Sequence, residues 1–303
     1  MNLIFAGTPA VAARVLRELT KEHKVVLAIT RPDAPVGRKR ELVPSEVAST
    51  ASELGIPLLK TDRIGPSELK AIESAQAEVA IVVAFGSLIP KTALKVLPWW
   101  NLHFSLLPLW RGASPLQMSL ISQTGQGVTL FEIDEGLDTG PIIASAAMEL
   151  PSNIPAGELL DELSDVGINL IQQSLLELPS PSPQQGESTH APKLNRSFAK
   201  ISFSDSASKV QRKVYALNPE PMAWCVTSKG DLRILACKAV GEVDWNALSA
   251  QALPVGQLEV SGNRILVVCG GGSRLELLTV QPAGGKAMSA GDWFRGYGGS
   301  NLE

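Results

Sequence analysis

Glu78-Val79-Ala80-Ile81-Val82-Val83-Ala84-Phe85 is apolar almost without interruption and rich in valine and alanine. A run of this kind is what a central parallel strand covered on both faces looks like. Working outward from it, a short helix is expected over Pro90–Leu97, then a strand ending at Asn101 and His103. A helix over Pro115–Ile121, strands Gly127–Ile133 and Pro141–Leu150, and a long amphipathic helix Ala156–Leu178 follow. Toward the N-terminus, Asn2–Ala6 reads as a strand, Gly7-Thr8-Pro9 as a turn and Ala10–Glu22 as a helix. His23–Thr30 is a strand and Arg31–Val43 a polar loop. Then come helix Pro44–Leu54, strand Ile56–Leu59 and helix Pro66–Ser74. Strands alternating with helices specify an α/β domain over residues 1–178, with a Rossmann-like, mainly parallel sheet between helical layers. The strand, glycine turn and helix at the start lack GxGxxG, which argues against a dinucleotide cofactor.

The pattern changes after Leu178. Pro179-Ser180-Pro181-Ser182-Pro183-Gln184-Gln185-Gly186 has the composition of a linker, taken to extend to about residue 202. Residues 203–303 show one helix, Ser206–Leu217, and short glycine-broken strands at Trp224–Thr227, Leu232–Ala239, Gly256–Val260, Arg264–Val268 and Leu275–Leu278. That mixture points to a small C-terminal β-barrel domain.

Bulk properties narrow the classes. At 303 residues, with 45% hydrophobic and 19% charged residues, the chain is long enough for two globular domains. The net charge is −3 but uneven: residues 1–178 hold 14 Lys/Arg against 20 Asp/Glu, residues 179–303 hold 13 against 10. The positive second half hints at an anionic partner. Cys225, Cys237 and Cys269 form no CxxC and read as buried thiols of a reducing compartment. His23, His103 and His190 are too scattered for a zinc site, so no metal is expected. No apolar run approaches the roughly 20 residues of a membrane span, and Met1-Asn2-Leu3-Ile4-Phe5 starts a strand without a basic leader. A cytoplasmic protein without membrane contact, monomeric by expectation, fits these features.

The chemistry concentrates in Asn101-Leu102-His103-Phe104-Ser105-Leu106-Leu107-Pro108-Leu109-Trp110-Arg111-Gly112. Positions i and i+2 of a strand share a face, so the Asn101 amide and the His103 imidazole enter one space. An amide N–H there can meet a developing oxyanion. Asp138, in the loop Asp134-Glu135-Gly136-Leu137-Asp138-Thr139-Gly140, lies at a strand end, where α/β folds place sites; it can orient His103 or move a proton. No nucleophile elbow and no metal-ligand spacing occurs. The set suits direct acyl transfer, in which an external amine attacks a carbonyl polarised by Asn101 and His103. Arg31, Arg38, Lys39 and Arg40 make the early polar loop basic, and Lys209, Arg212 and Lys213 share a helix face. Either can be a solvated surface or a phosphate-contacting one.

These residues together resemble the methionyl-tRNA formyltransferases over nearly the whole chain. The likeness rests on Phe5-Ala6-Gly7-Thr8-Pro9, Pro32-Asp33, Gly37-Arg38, Pro44-Ser45, Ala84-Phe85-Gly86 with Ile89-Pro90, and Asn101-Leu102-His103. Ser105-Leu106-Leu107-Pro108, Arg111-Gly112, Gly127-Val128-Thr129, Gly136-Leu137-Asp138-Thr139-Gly140, Asn218-Pro219 with Pro221, and Gln281-Pro282-Ala283-Gly284 with Lys286-Ala287-Met288 complete it. The resemblance implies 10-formyltetrahydrofolate as co-substrate and the α-amino group of methionine on initiator tRNA as acceptor, in translation initiation. It implies Asn101, His103 and Asp138 as catalytic residues, and Ser105, Leu106, Leu107 and Pro108, with Phe85 and Gly86, about the folate. It also implies tRNA contacts from Arg38, Lys39 and Arg40 and from Lys209, Arg212 and Lys213, and an OB-like form for the C-terminal barrel. Phe104, Leu109, Glu41, Glu46, Glu220 and Gly285 depart from the family pattern, none of them in the catalytic set. Two other readings stay open on sequence: a formyl-folate enzyme for a nucleotide-linked amino sugar, a purine precursor or water, and an RNA-binding module without catalysis.

Overall fold

The computed structural model describes residues 1–37, 40–241 and 253–303. Along the chain run β1 (Asn2–Gly7), α1 (Ala10–Leu19), β2 (Lys24–Thr30), β3 (Ala34–Val36), β4 (Glu41–Val43), α2 (Glu46–Glu53), β5 (Leu58–Lys60), α3 (Pro66–Ser74) and β6 (Val79–Val83). Next are α4 (Lys91–Leu94), β7 (Trp99–His103), β8 (Arg111–Gly112), α5 (Pro115–Ser122), β9 (Gly127–Glu132), β10 (Ile142–Ala147), α6 (Ala156–Glu177) and β11 (His190–Ala191). The rest is α7 (Ala207–Ala216), β12 (Trp224–Thr227), β13 (Gly230–Ala239), β14 (Leu258–Ser261), β15 (Arg264–Val268), β16 (Arg274–Pro282), β17 (Met288–Ser289) and α8 (Ala290–Tyr297).

The chain divides into two compact units. One comprises residues 1–115, 125–149 and 160–191, the other residues 116–124, 150–159 and 192–303. The first is built on a seven-stranded sheet ordered β10-β9-β7-β6-β1-β2-β5. β5, β2, β1, β6 and β7 run parallel, while β9 pairs antiparallel with β7 and β10 with β9. β6 is buried at all five positions, as expected of a strand with helices on both faces. On one face Ile4, Ala6, Leu27, Ile29, Ala80 and Val82 form a cluster with Ile72 of α3 and Ala93 of α4. The alternate residues Leu3, Phe5, Ile81 and Val83 are equally inaccessible. Full burial of each large aliphatic side chain contributes roughly 1.5–3 kcal/mol, which makes these central strands the rigid platform of the unit.

Two details differ from the sequence reading. The Arg31–Val43 loop contains a short hairpin, β3 paired with β4, because Ala34-Pro35-Val36 and Glu41-Leu42-Val43 can extend on either side of a turn. The supposed linker is tied down. Ser182 and Ile142 exchange backbone hydrogen bonds of 2.8 and 2.7 Å, and β11 pairs parallel with β8, so this stretch belongs to the first unit through residue 191.

The second unit carries the antiparallel sheet β12-β13-β16-β15-β14, with β17 on β16. Its core gathers Val210, Val214 and Leu217 at α7, Cys225, Ile234 and Cys237 from β12 and β13, and Trp293 and Tyr297 of α8. All three cysteines are buried and unpaired, and burial pushes the Cys225 and Cys269 thiols up to about 12. They are therefore structural hydrophobes. The helix α8 has no counterpart in the sequence reading. Ser289 caps it by accepting from the Asp292 N–H, and Trp293 and Tyr297, one turn apart, both face inward. Among the described residues, no helix is long and apolar enough to cross a membrane, and no cluster of side chains could hold a metal ion.

Candidate active site

β7 is the last parallel strand of the sheet, with β6 on one side and antiparallel β9 on the other. Asn101 sits opposite Val82 and Phe131, and His103 opposite Thr129. The two project from one face at the carboxyl end of the strand, the end where open α/β sheets place their sites. Asn101 is half-buried and its side chain has no hydrogen-bond partner among the described residues. His103 is 4% exposed, with the Phe131 ring edge-on at 6.2 Å.

The loop after β7 is pinned from beneath by Thr129. Its buried hydroxyl donates to the Ser105 carbonyl at 2.7 Å and accepts from the Leu107 N–H at 3.1 Å. Ser105 is fully buried and donates to the Leu109 carbonyl at 2.8 Å. Leu106 and Pro108 stay half-buried at the surface of the loop. The loop then swings back so that the Trp110 carbonyl lies 3.0 Å from His103 Nε2.

Asp138 arrives from the loop between β9 and β10. Asp134 Oδ1 organises that loop by accepting from the Gly136 N–H and the Thr139 hydroxyl at 2.9 and 2.6 Å. Gly140 fits because a Cβ there would meet the Glu132 carbonyl at 1.8 Å. Asp138 itself is left-handed, with φ of 53°. Its Oδ2 accepts from the Gly112 N–H at 2.7 Å and lies 3.8 Å from His103 Nδ1. An imidazole, a carboxylate and, one strand position pair away, an amide are thus brought to the carboxyl end of β7.

The electrostatics are those of a group held neutral. Burial pushes the His103 imidazole below its ordinary value, against the smaller upward pull of the Asp138 charge and the Trp110 carbonyl. A carbonyl can only accept, so Nε2 carries the proton of the neutral ring. Nδ1 is then the basic nitrogen, and it is the one facing Asp138.

The remaining expected site residues are placed as follows. Phe85 is buried, its ring in the core and its carbonyl accepting from the Thr8 hydroxyl at 2.9 Å; Gly86 beside it is exposed, with φ of 79°. Both follow β6, the strand next to β7. Arg40 is exposed in the β3–β4 hairpin, while Arg38 and Lys39 lie outside the described residues. On α7, Lys209 is exposed and paired with Asp205 at 2.7 Å. Arg212 Nε donates to the Ile121 carbonyl at 3.2 Å, and Lys213 donates to the Lys200 carbonyl at 2.7 Å and stands over the Phe198 ring. Burial lowers the Lys213 ammonium.

Three participants escaped the sequence reading: Thr129 under the loop, the Trp110 carbonyl at His103, and Gln184. The Gln184 amide donates to the carbonyls of Asp138 and Gly140 at 2.9 and 2.7 Å and accepts from Arg111. Only the Gly127-Val128-Thr129 match could have pointed to the first. A backbone carbonyl and a glutamine in a polar run leave no such signal.

Similarity to known proteins gives the family. Residues 1–175 match the family described as formyl transferase, and residues 193–298 the formyl transferase C-terminal domain. A methionyl-tRNA formyltransferase of Paenarthrobacter aurescens (strain TC1) is 40% identical over 304 residues, covering 98% of this chain and 97% of that one. Among solved structures, HypX from Aquifex aeolicus in complex with tetrahydrofolic acid superposes with a TM-score of 0.65 at 16% identity. The match covers 98% of this chain but 47% of that one. A methionyl-tRNA formyltransferase from Clostridium thermocellum has a TM-score of 0.56 at 21% identity over 80% of this chain and 94% of its own. The two structural likenesses speak for the fold, and the long sequence matches carry the assignment: the chain belongs to the formyl transferase family.

Proposed function

We propose that the protein transfers the formyl group of 10-formyltetrahydrofolate to the α-amino group of methionine on initiator Met-tRNA, the step that prepares this tRNA for translation initiation. The observation that carries the reading is the convergence of His103 and Asp138 beside Asn101, in a chain that resembles methionyl-tRNA formyltransferases over almost its full length.

The folate supplies an electrophilic formyl carbon bonded to N10, and N10 leaves with a proton. In this reading Asn101 donates its free amide N–H to the oxygen of that carbon as negative charge develops on it. His103 Nδ1 takes the proton that the attacking amine loses and delivers it to the leaving nitrogen, so that one C–N bond forms as the other breaks. Asp138, 3.8 Å away, stabilises the imidazolium while it exists; such acid–base assistance is worth roughly 10²–10⁴ in rate. Ser105, Leu106, Leu107 and Pro108, with Phe85 and Gly86, form the folate side. Half-buried Leu106 and Pro108 suit the flat face of the pterin, and exposed Gly86 leaves room beside it.

The division of labour proposed is catalysis in residues 1–178, a segment at 179–202 whose first part, through residue 191, is fastened to that same unit, and tRNA binding in an OB-like barrel at 203–303. Arg38, Lys39 and Arg40 would approach the acceptor end, and Lys209, Arg212 and Lys213 the phosphate backbone, with Lys209 the most accessible of the second group. The protein is read as a cytoplasmic monomer. Incubation with 10-formyltetrahydrofolate and charged initiator tRNA, followed by mild hydrolysis and mass spectrometry, is expected to give N-formylmethionine. Formylation of a nucleotide-linked amino sugar in place of the tRNA would refute the acceptor.

A further inference from the structure

The segment that composition marks as a linker reaches into the site. From Ser182 to Ala191 it is fastened at three levels: the Ser182–Ile142 backbone pair, the Gln184 side chain, and the β11–β8 pairing. We propose that Gln184 is a positioning residue for formyl transfer, fastening the Asp138 loop to Arg111 and thereby setting where the Asp138 carboxylate stands relative to His103. The inference rests on the reading of this site as a formyltransferase centre and adds a residue to it.

The hydrogen bonds of Gln184 leave little freedom. Its NH₂ group gives one proton to the Asp138 carbonyl at 2.9 Å and one to the Gly140 carbonyl at 2.7 Å. Its oxygen receives both Nε and Nη2 of Arg111, at 3.1 and 2.7 Å. Carbonyls only accept and a guanidinium only donates, so the partners fix which end of the amide is which. Asp138 sits in the left-handed region, which aspartate tolerates better than most residues, so the hydrogen bonds around its loop decide where its carboxylate stands. Its second anchor, the Gly112 N–H, comes from the residue after Arg111, on the strand that β11 pairs with. The same strap touches the imidazole side. The Trp110 N–H donates to the Thr189 hydroxyl at 2.8 Å, and the Trp110 carbonyl faces His103 Nε2. Both ends of the His103–Asp138 pair are therefore referenced to residues 184–191, about 45 positions or more beyond Asp138 in the chain.

The test uses the full chain and steady-state formylation of Met-tRNA. Gln184→Ala and the length-preserving Gln184→Met both delete the two donors and the acceptor, and Ser180→Ala is the surface control. The groups set against His103 are the Asp138 carboxylate, the Trp110 carbonyl and the Phe131 ring. Asp138 is the charge that raises its pKa, so a carboxylate that drifts away must move the acid limb of kcat/KM to lower pH. The expected result is a kcat lowered about tenfold or more, a KM for 10-formyltetrahydrofolate within about twofold of wild type, and that downward displacement. Wild-type kcat in either folded variant, or a loss of kcat with an unmoved acid limb, overturns the proposal. If Gln184→Ala does not fold, Gln184→Met alone decides by the same two readings. A wild-type chain that formylates nothing would instead strike the proposed function, so the two failures are told apart.

Discussion

His103 is placed where a positive charge is penalised, and yet its proposed task is to bear one briefly. Burial lowers its pKa and Asp138 restores part of the difference, so the ring is neutral at pH 7 and charges only with a proton from the reacting amine. Folded-state depression below the usual value of about 6.5 means that the half-maximal point of the acid limb of kcat/KM for formyl transfer lies below 6.5. A half-maximal point clearly above 6.5 would contradict the neutral resting state. Replacing His103 or Asp138 by Ala is expected to lower turnover by at least ~10², measured as initial rate at saturating folate. Asn101→Ala should lose ~10²–10³ in kcat, the usual effect of one oxyanion donor, while tetrahydrofolate affinity by calorimetry stays close to wild type; equal loss in both would make Asn101 a binding residue. His23 is a different case. Both of its ring nitrogens are buried without a hydrogen-bond partner among the described residues, and burial lowers its pKa. A depressed pKa means that the unfolded chain binds the proton better, so stability is unaffected by this group above about pH 6.5 and is lost progressively as pH falls from there through the lower folded-state pKa. His23→Leu should stabilise the fold by about 1 kcal/mol, read as a higher melting temperature, and by more at pH 5.5 than at pH 8.

At the scale of the element, the site is two loops and a strap held against the carboxyl ends of β6 and β7. Gly112 is where they meet. Its φ is 125°, and a Cβ would stand 2.4 Å from the Ala191 carbonyl. Gly112→Ala must therefore open the β8–β11 pairing and displace the N–H that holds Asp138. We expect formyl transfer to fall at least tenfold while far-ultraviolet circular dichroism stays native, since the seven-stranded sheet is untouched; full activity would show that the strap is dispensable. The platform itself could be read from sequence because its signals are local. Val79–Val83 is apolar at every position, and Asn101 and His103 show their common face by spacing alone. The strap could not. Its Pro, Ser and Gln residues are those of a linker, and what holds it are partners in distant strands, as when Gln184 meets Arg111 73 positions away. The hairpin of β3 and β4 and the helix α8 were hidden for similar reasons. The first is only three residues a side. The second contains Gly291 and Gly296, which weaken helix propensity, and is kept by the burial of Trp293 and Tyr297.

For the whole molecule, the relevant quantity is how charge is distributed between the two parts of the chain. An acidic first part and a basic second part leave the net at −3, which would repel a polyanion if charge were spread evenly. Binding of tRNA must then come from local basic surface. Of the α7 cations, Arg212 and Lys213 are already engaged with main-chain carbonyls, whereas Lys209 is exposed and, among the described residues, held by an ion pair with Asp205. A surface pair of that kind is worth about 0–1 kcal/mol and gives way easily to a phosphate. Affinity for initiator tRNA is thus expected to fall steeply between about 50 and 200 mM salt, while tetrahydrofolate affinity changes little. Lys209→Gln should weaken tRNA binding and reduce the slope of log affinity against log salt by about one, with formyl transfer at saturating tRNA unchanged. An unaltered slope would remove Lys209 from the contact, and a flat salt response in the wild type would remove phosphate recognition from the account of how this protein holds its substrate.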